Sequence, residues 1–287
     1  MSPAITTDQD IPVTEDMEGQ RLDRVLSRFG DPGLRGWRRL CESGRVLVNG
    51  RPASPALKLR SGQGIRLLPP ATAPHASFPH LVLKTPEFAA LFKPSGWHSA
   101  AVVGSIHPHV ESELETLLPA LTVRPVLLNR LDADTSGLLM VACAPGSAEL
   151  WRKAENAGTV FKDYLAVVHG LPDTPLTLRN RLNTNNRRQV AVEDSDDPSP
   201  LRHTLIQPLR PLEAISAFPT DSGPLGLVAC SIRKGTRHQI RAHLAHAGYP
   251  LAGDSLYGSP LPGPFLLHHG CIRFPGFEAN APAPWDF

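Results

Sequence analysis

Asn129-Arg130-Leu131-Asp132-Ala133-Asp134-Thr135-Ser136-Gly137 sets an arginine two positions before a carboxylate, adds a polar turn, and runs straight into Leu138-Leu139-Met140-Val141-Ala142. The apolar run predicts a buried strand. The residues before it then read as a loop that delivers Asp132 to the edge of a sheet with a cation beside it. A carboxylate next to a guanidinium stays ionised, and loops on a rigid scaffold are where chemistry is usually carried. Taken alone, the segment reads equally well as an ordinary Asp-Thr-Ser turn whose side chains bond nearby backbone N–H groups.

Four further blocks flank it: Phe92-Lys93-Pro94-Ser95-Gly96-Trp97-His98-Ser99, Lys162-Asp163-Tyr164-Leu165-Ala166-Val167-Val168-His169-Gly170, Gly235-Thr236-Arg237-His238-Gln239-Ile240-Arg241-Ala242-His243, and Gly248-Tyr249-Pro250-Leu251-Ala252-Gly253-Asp254-Ser255-Leu256-Tyr257-Gly258. In this order the blocks resemble the RluA-like family of RNA pseudouridine synthases over most of residues 80–275. Several ordered blocks are specific where one alone would be weak.

The resemblance implies a mixed, largely antiparallel sheet with the active cleft along it. The sequence agrees on an α+β class. Apolar runs at 81–83, 89–92, 126–128, 138–142, 164–168 and 225–232 predict strands, with helices only at 110–118, 146–156 and 238–247. Residues 179–188 read as a basic loop, a second candidate RNA contact or a merely solvated one.

Between Gln20 and Pro70 stand eleven Lys/Arg against three acids, a net +8, so the remainder carries −6 of the overall +2. Leu22, Val25, Leu26 and Phe29 keep helical spacing; Leu34, Trp37, Leu40 and Cys41 form a second stripe, with Arg35, Arg38 and Arg39 off it. Val46-Leu47-Val48 predicts a strand and Asn49-Gly50 a hairpin turn. Residues 16–68 thus resemble the RNA-binding domain named after ribosomal protein S-four. Arg35, Arg38, Arg39 and Arg45 are its candidate RNA contacts, because guanidinium suits phosphate. The ordinary alternative is a solvated helix face. The expected organisation is a small basic α/β RNA-binding domain at 1–70, a Pro-rich linker at 71–79, and a catalytic domain at 80–287.

Isomerising uridine to pseudouridine breaks an N-glycosidic bond, turns the base, and joins its carbon five to the sugar. No electrons are exchanged and no group is lost, so a cofactor or metal is not needed. A carboxylate can serve as nucleophile or as base toward the sugar, and the resemblance puts that role on Asp132 rather than Asp134. It implies that Arg130 helps move the target nucleotide out of its stack, that Tyr164 packs on the base and is available as a base toward it, that Arg241 pairs with the carboxylate and aims its oxygens, and that Ile240 lines the base pocket. Two departures stand out: Asn129 where the family has histidine, and Gly235-Thr236-Arg237 where it has Gly-Arg-Thr. They put substrate recognition by these segments in question.

Other classes fit less well. His238, His243 and His246 lack the helical spacing of a compact metal-ligand set. A hydrolase triad through Ser136 lacks the Gly-x-Ser-x-Gly elbow. A non-catalytic RNA-binding or ribosome-assembly protein remains the main rival. No apolar run approaches a membrane span, and residues 1–10 do not read as a secretory signal. The four cysteines form no CxxC pair, which predicts reduced thiols and a cytoplasmic setting. The expected partner is RNA, large-subunit ribosomal RNA favoured and transfer RNA open, with a monomer as the default.

Overall fold

The computed structural model describes residues 10–30, 33–42, 46–67, 78–102, 108–119, 121–186, 188–213, 215, 218, 223–259, 263–285 and 287. In chain order these form β1 (Asp10–Pro12), α1 (Leu22–Leu26), α2 (Gly33–Glu42), β2 (Val46–Val48), β3 (Arg51–Pro52), β4 (Gly64–Leu67), β5 (His80–Lys84), β6 (Phe88–Lys93), α3 (Val110–Leu117), β7 (Val126–Leu127) and β8 (Ser136–Ala142). Then come α4 (Ser147–Asn156), β9 (Phe161–His169), β10 (Leu176–Leu178), β11 (Asn180–Asn183), β12 (Ala191–Asp196), β13 (Thr204–Leu212), β14 (Leu225–Ile232), α5 (Gln239–His246), β15 (Leu267–Phe274) and β16 (Phe277–Asn280). The chain divides into two compact units: one comprises residues 1–72, 214–223 and 252–264, the other the remainder.

In the first unit the four strands run in the order β1-β4-β2-β3, all antiparallel. Leu22, Val25 and Leu26 of α1 and Trp37 and Cys41 of α2 pack into one core with Val46, Val48, Ile65 and Leu67. Asn49 and Gly50 both take positive φ, 52° and 75°, the geometry that closes a two-residue hairpin. The Asn49 side chain also accepts the Gly64 N–H at 2.9 Å. The predicted linker lies outside the described residues from 71 to 77, and so does Arg45.

The second unit is built on one sheet in the order β10-β13-β14-β9-β15-β8-β6-β5, with β16 on β15 and β7 on β8. Only the β15–β8 pairing is parallel among the described strands. Residue alternation sends Leu91, Leu139, Val141, Tyr164, Val228 and Ile232 to one face, against α3 and α5. Phe88, Phe92, Leu138, Met140 and Ile272 go to the other, against Trp151 of α4. All seven residues of β8 are buried, as its unbroken apolar run requires for a central strand covered on both faces.

Several strands depart from the expected pattern. Residues 180–183 are not loop: they form β11 and pair with β12, leaving only the tip between them as a turn. β13 carries Pro208 and Pro211, which remove ladder donors. They are tolerated because β10 pairs only with Thr204, Leu205 and Ile206, so the rest of β13 is an edge, with a register shift between Pro208 and Arg210. β15 hides its strand character behind His268-His269-Gly270, both histidines fully buried. Among the described residues no helix is long and apolar enough to cross a membrane.

Candidate active site

The loop before β8 is held from several sides. The Ser99 hydroxyl donates to Leu131 O and accepts from Leu131 N–H, both at 2.9 Å. The Lys93 ammonium, fully buried at the end of β6, donates to Pro94 O (2.9 Å), Trp97 O (2.7 Å) and Ala133 O (2.8 Å). The Gly96 N–H donates to the same Ala133 carbonyl at 2.9 Å. Burial pulls the Lys93 ammonium down to about 7, against the opposing charges of Asp134 and Asp132. Gly137, at φ +117°, is required where it stands: a Cβ there would sit 2.3 Å from the His269 carbonyl oxygen.

This scaffold sets Asp132 in the wall of a cavity of about 1150 Å³ that also includes Arg130, Tyr164, His238, Ile240 and Arg241. Arg241, from α5, donates from Nη1 to Asp132 Oδ2 at 2.7 Å. Its guanidinium lies over the Phe265 ring at 5.0 Å, so its position is fixed from both sides. The other oxygen, Oδ1, is 3.8 Å from His238 Nε2, beyond hydrogen-bond reach. His238 adopts a left-handed conformation, φ 54°, uncommon for a non-glycine residue and usual where a site fixes a side chain. Tyr164 is 7% exposed and its ring stacks on His269, centroids 4.5 Å apart. Burial, then the charge of Asp132, push its phenol up. A phenol held protonated packs and donates.

Asp132, Tyr164, Arg241, Arg130 and Ile240 therefore share one cavity. Arg130 is exposed and Ile240 buried. Asp134 is exposed and does not line the cavity, which separates the two carboxylates of the loop. In the first unit, Asp23 is fully buried; bonds from Arg21 and Arg38 hold its carboxyl down to about 2. Arg38 thus commits its Nε to Asp23 at 2.7 Å, whereas Arg35 is exposed. The Arg39 side chain is outside the described residues.

Among the described residues no cluster of His, Cys, Asp or Glu is placed to hold a metal ion. Both ring nitrogens of His243 are engaged, with Thr204 Oγ1 at 2.8 Å and Asn180 O at 2.9 Å, and burial lowers its pKa. Ser136 Oγ does meet a histidine, His268 Nδ1 at 2.9 Å. Both are buried, and the outer nitrogen of His268 faces the Ala281 carbonyl at 3.0 Å rather than a carboxylate. That pair braces β8 against β15 and is closed to a substrate. Lys93 and Ser99 are supporting residues to which the sequence alone assigns no role, although a lysine ending an otherwise apolar strand is a signal; His238, weighed above only as a metal ligand, stands beside Asp132 instead.

Residues 87–246 match the family described as RNA pseudouridylate synthase, and residues 20–65 match the S4 domain. The chain is 31% identical to ribosomal large subunit pseudouridine synthase C of Escherichia coli strain K12, an alignment covering 86% of this chain and 79% of that one. It is 29% identical to ribosomal large subunit pseudouridine synthase D of Neisseria meningitidis, over 87% of this chain and 67% of that one. Among solved structures, human RNA pseudouridylate synthase domain containing 1 shares the fold. It has a TM-score of 0.58 at 22% identity, over 76% of this chain and 87% of that one.

Proposed function

The chain belongs to the RNA pseudouridylate synthase family, and on that premise we propose that it isomerises uridines of large-subunit ribosomal RNA, with Asp132 as the carboxylate that meets the target sugar. The observation that carries this reading is the asymmetry of Asp132. Arg241 holds one oxygen at 2.7 Å, the other has His238 Nε2 at 3.8 Å, beyond hydrogen-bond reach, and Asp132 lines the cavity together with Tyr164 and Ile240. One oxygen is aimed and the other is available.

Each residue has its own part in the reaction. Arg130, at the exposed rim, takes the place of the target base in its stack and so helps extrude it. Tyr164 packs on the extruded base while Ile240 borders it. The available oxygen of Asp132 acts on the sugar, by addition or by taking a proton, as the N1–C1′ bond breaks. The base turns and C5 bonds to C1′ as the Asp132 oxygen leaves that carbon or, on the proton route, as the proton returns from the carboxyl to the sugar. C5 then loses its proton and N1 gains one, so the product is an isomer of the starting nucleotide. Arg241 keeps the carboxylate charge localised and oriented throughout.

The relatives named above act, by their names, on the large ribosomal subunit, which supports the same substrate class here. The S4 match and the +8 charge of residues 20–70 support docking on structured RNA by a domain at 1–70, joined through 71–79 to a catalytic domain at 80–287. The four cysteines form no disulfide, which supports a reducing, cytoplasmic setting.

The test follows from the lost C5 proton. Purified protein is expected to release tritium from large-subunit ribosomal RNA labelled at uridine C5 and to release little from labelled transfer RNA. Release from transfer RNA alone would reject the substrate class. Release from neither would favour a non-catalytic RNA-binding protein.

A further inference from the structure

Asn129, which lines the cavity, and His269, which does not, take part in none of these steps, yet both bond to one backbone atom. The edge of β8 that faces β15 and β7 is shared between them. β15 pairs with it at Ser136 and Gly137, and β7 at Val141 and Ala142, with Leu128 N–H extending the ladder to Met140 O. Between these stretches the Leu138 carbonyl and the Met140 N–H have no strand opposite them. Buried backbone groups must find partners, and here side chains supply them. Asn129 Oδ1 accepts from Met140 N–H at 2.7 Å and its Nδ2 donates to Leu138 O at 3.3 Å. His269 Nδ1 donates to the same Leu138 O at 2.7 Å.

Each side chain leads to a different half of the active site. Asn129 opens the loop that carries Asp132, three residues on. His269 is fully buried, does not line the cavity, and backs the Tyr164 ring at 4.5 Å with the planes 15° apart. Burial holds this imidazole neutral, its pKa down to about 3, and the carbonyl acceptor fixes the proton on Nδ1. A neutral histidine differs from phenylalanine by its ring nitrogens, and here backbone groups meet them, Leu138 O first and the Cys271 backbone second. The Nδ1 bond to Leu138 O is part of what the histidine adds.

We propose that Asn129 and His269 are a coupled pair of positioning residues, meeting at the Leu138 carbonyl and together fixing the Asp132 loop relative to the Tyr164 ring. The catalytic part of this inference rests on the reading of Asp132 and Tyr164 given above; the structural part does not. Asn129, the departure from the family pattern, thereby gains a defined role, since an amide supplies a donor and an acceptor side by side, as a strand backbone would.

The experiment has two arms. The chain has three tyrosines, so ring-labelled tyrosine gives a readable NMR spectrum, with Tyr164 assigned by its loss in Tyr164→Phe. His269→Leu removes the stacked ring and is expected to move the Tyr164 signal. Asn129→Ala touches neither ring and is expected to move or broaden it as well. A Tyr164 signal unchanged in Asn129→Ala overturns the coupling. In single-turnover tritium release, each variant is expected to slow the chemical step about tenfold with RNA affinity unchanged, as a small misplacement of reacting groups does. The double variant is expected to be no slower than the slower single, because both act through one carbonyl. Losses that multiply, or two variants at the wild-type rate, overturn it. Asn129→Asp, which keeps the acceptor for Met140 N–H, and His269→Phe, which keeps the plate, carry the same comparison should a truncation fail to fold. Turnover retained by Asp132→Asn would sink the reading of Asp132 and leave the NMR arm standing.

Discussion

Two polar segments interrupt strands of the same sheet-based unit, and they are held in opposite ways. The loop at 129–135 is anchored by side chains from distant elements: Lys93 on Ala133 O, Ser99 on both backbone groups of Leu131, Asn129 on β8. Between β11 and β12, residues 184–186, 188 and 189 are exposed, and local bonds hold part of this tip. Asn183 Oδ1 accepts from Asn185 N–H at 3.1 Å, and Asn186 Oδ1 from Arg188 N–H at 2.8 Å. A tie to the rest of the unit is Arg237, which donates to the Thr184 carbonyl at 3.2 Å and to that of Asn186. On the function proposed above, a group that must meet a reacting atom needs a fixed frame, whereas a surface that meets only solvent or RNA phosphates can adapt.

The comparison breaks most visibly at Lys93. Lys93→Met removes a donor from three carbonyls, of which Ala133 O keeps the Gly96 N–H, and a buried polar group left unpaired costs about 1–3 kcal/mol. Urea unfolding is expected to show a loss of about 1–3 kcal/mol on that scale, and tritium release to fall about a hundredfold. Wild-type stability in this variant would show that the frame is unnecessary. Ser99→Ala removes a smaller part of the same frame. It is expected to cost about 1–2 kcal/mol and to slow release about tenfold with little change in RNA affinity.

His269 sharpens the comparison through pH. Its folded pKa lies below the ordinary imidazole value, at about 3. Below the ordinary value the unfolded chain therefore binds a proton that the folded chain refuses, and stability falls as pH drops from about 6.5 toward 3. His269→Phe lacks this term, so its Tm is expected to gain on the wild type as pH falls from about 7 to about 4.5. A constant difference across that range would mean that the ring is not held neutral by burial. The smallest effect is expected at the exposed tip. Arg237→Ala should weaken RNA binding a few-fold, change stability by less than about 0.5 kcal/mol, and leave the single-turnover rate intact. A large rate loss there would erase the distinction between the two segments.

The parts of this arrangement that could be read from sequence are those whose signal is local. β8, β9 and β14 announce themselves as apolar runs, and Asn49-Gly50 as a turn. Asp132 and Arg241 stand in recognisable blocks, although 109 residues separate them. β13 was hidden because its prolines are harmless only at an edge, and strand order decides what is an edge. β15 was hidden because two buried histidines read as polar until Leu138 O and Ser136 Oγ are seen to satisfy them. Lys93, Ser99 and His269 find the partners that give them meaning 40, 32 and 131 residues away. No pattern of spacing encodes such contacts.

The most direct test sets the two carboxylates of the loop against each other. Asp132→Asn and Asp134→Asn are compared in single-turnover tritium release from C5-labelled ribosomal RNA, with RNA affinity measured alongside. Asp132→Asn is predicted to bind RNA as the wild type does and to release no tritium, while Asp134→Asn keeps its rate within a few-fold. Turnover by Asp132→Asn, or its loss in Asp134→Asn alone, would contradict the assignment of the reacting carboxylate.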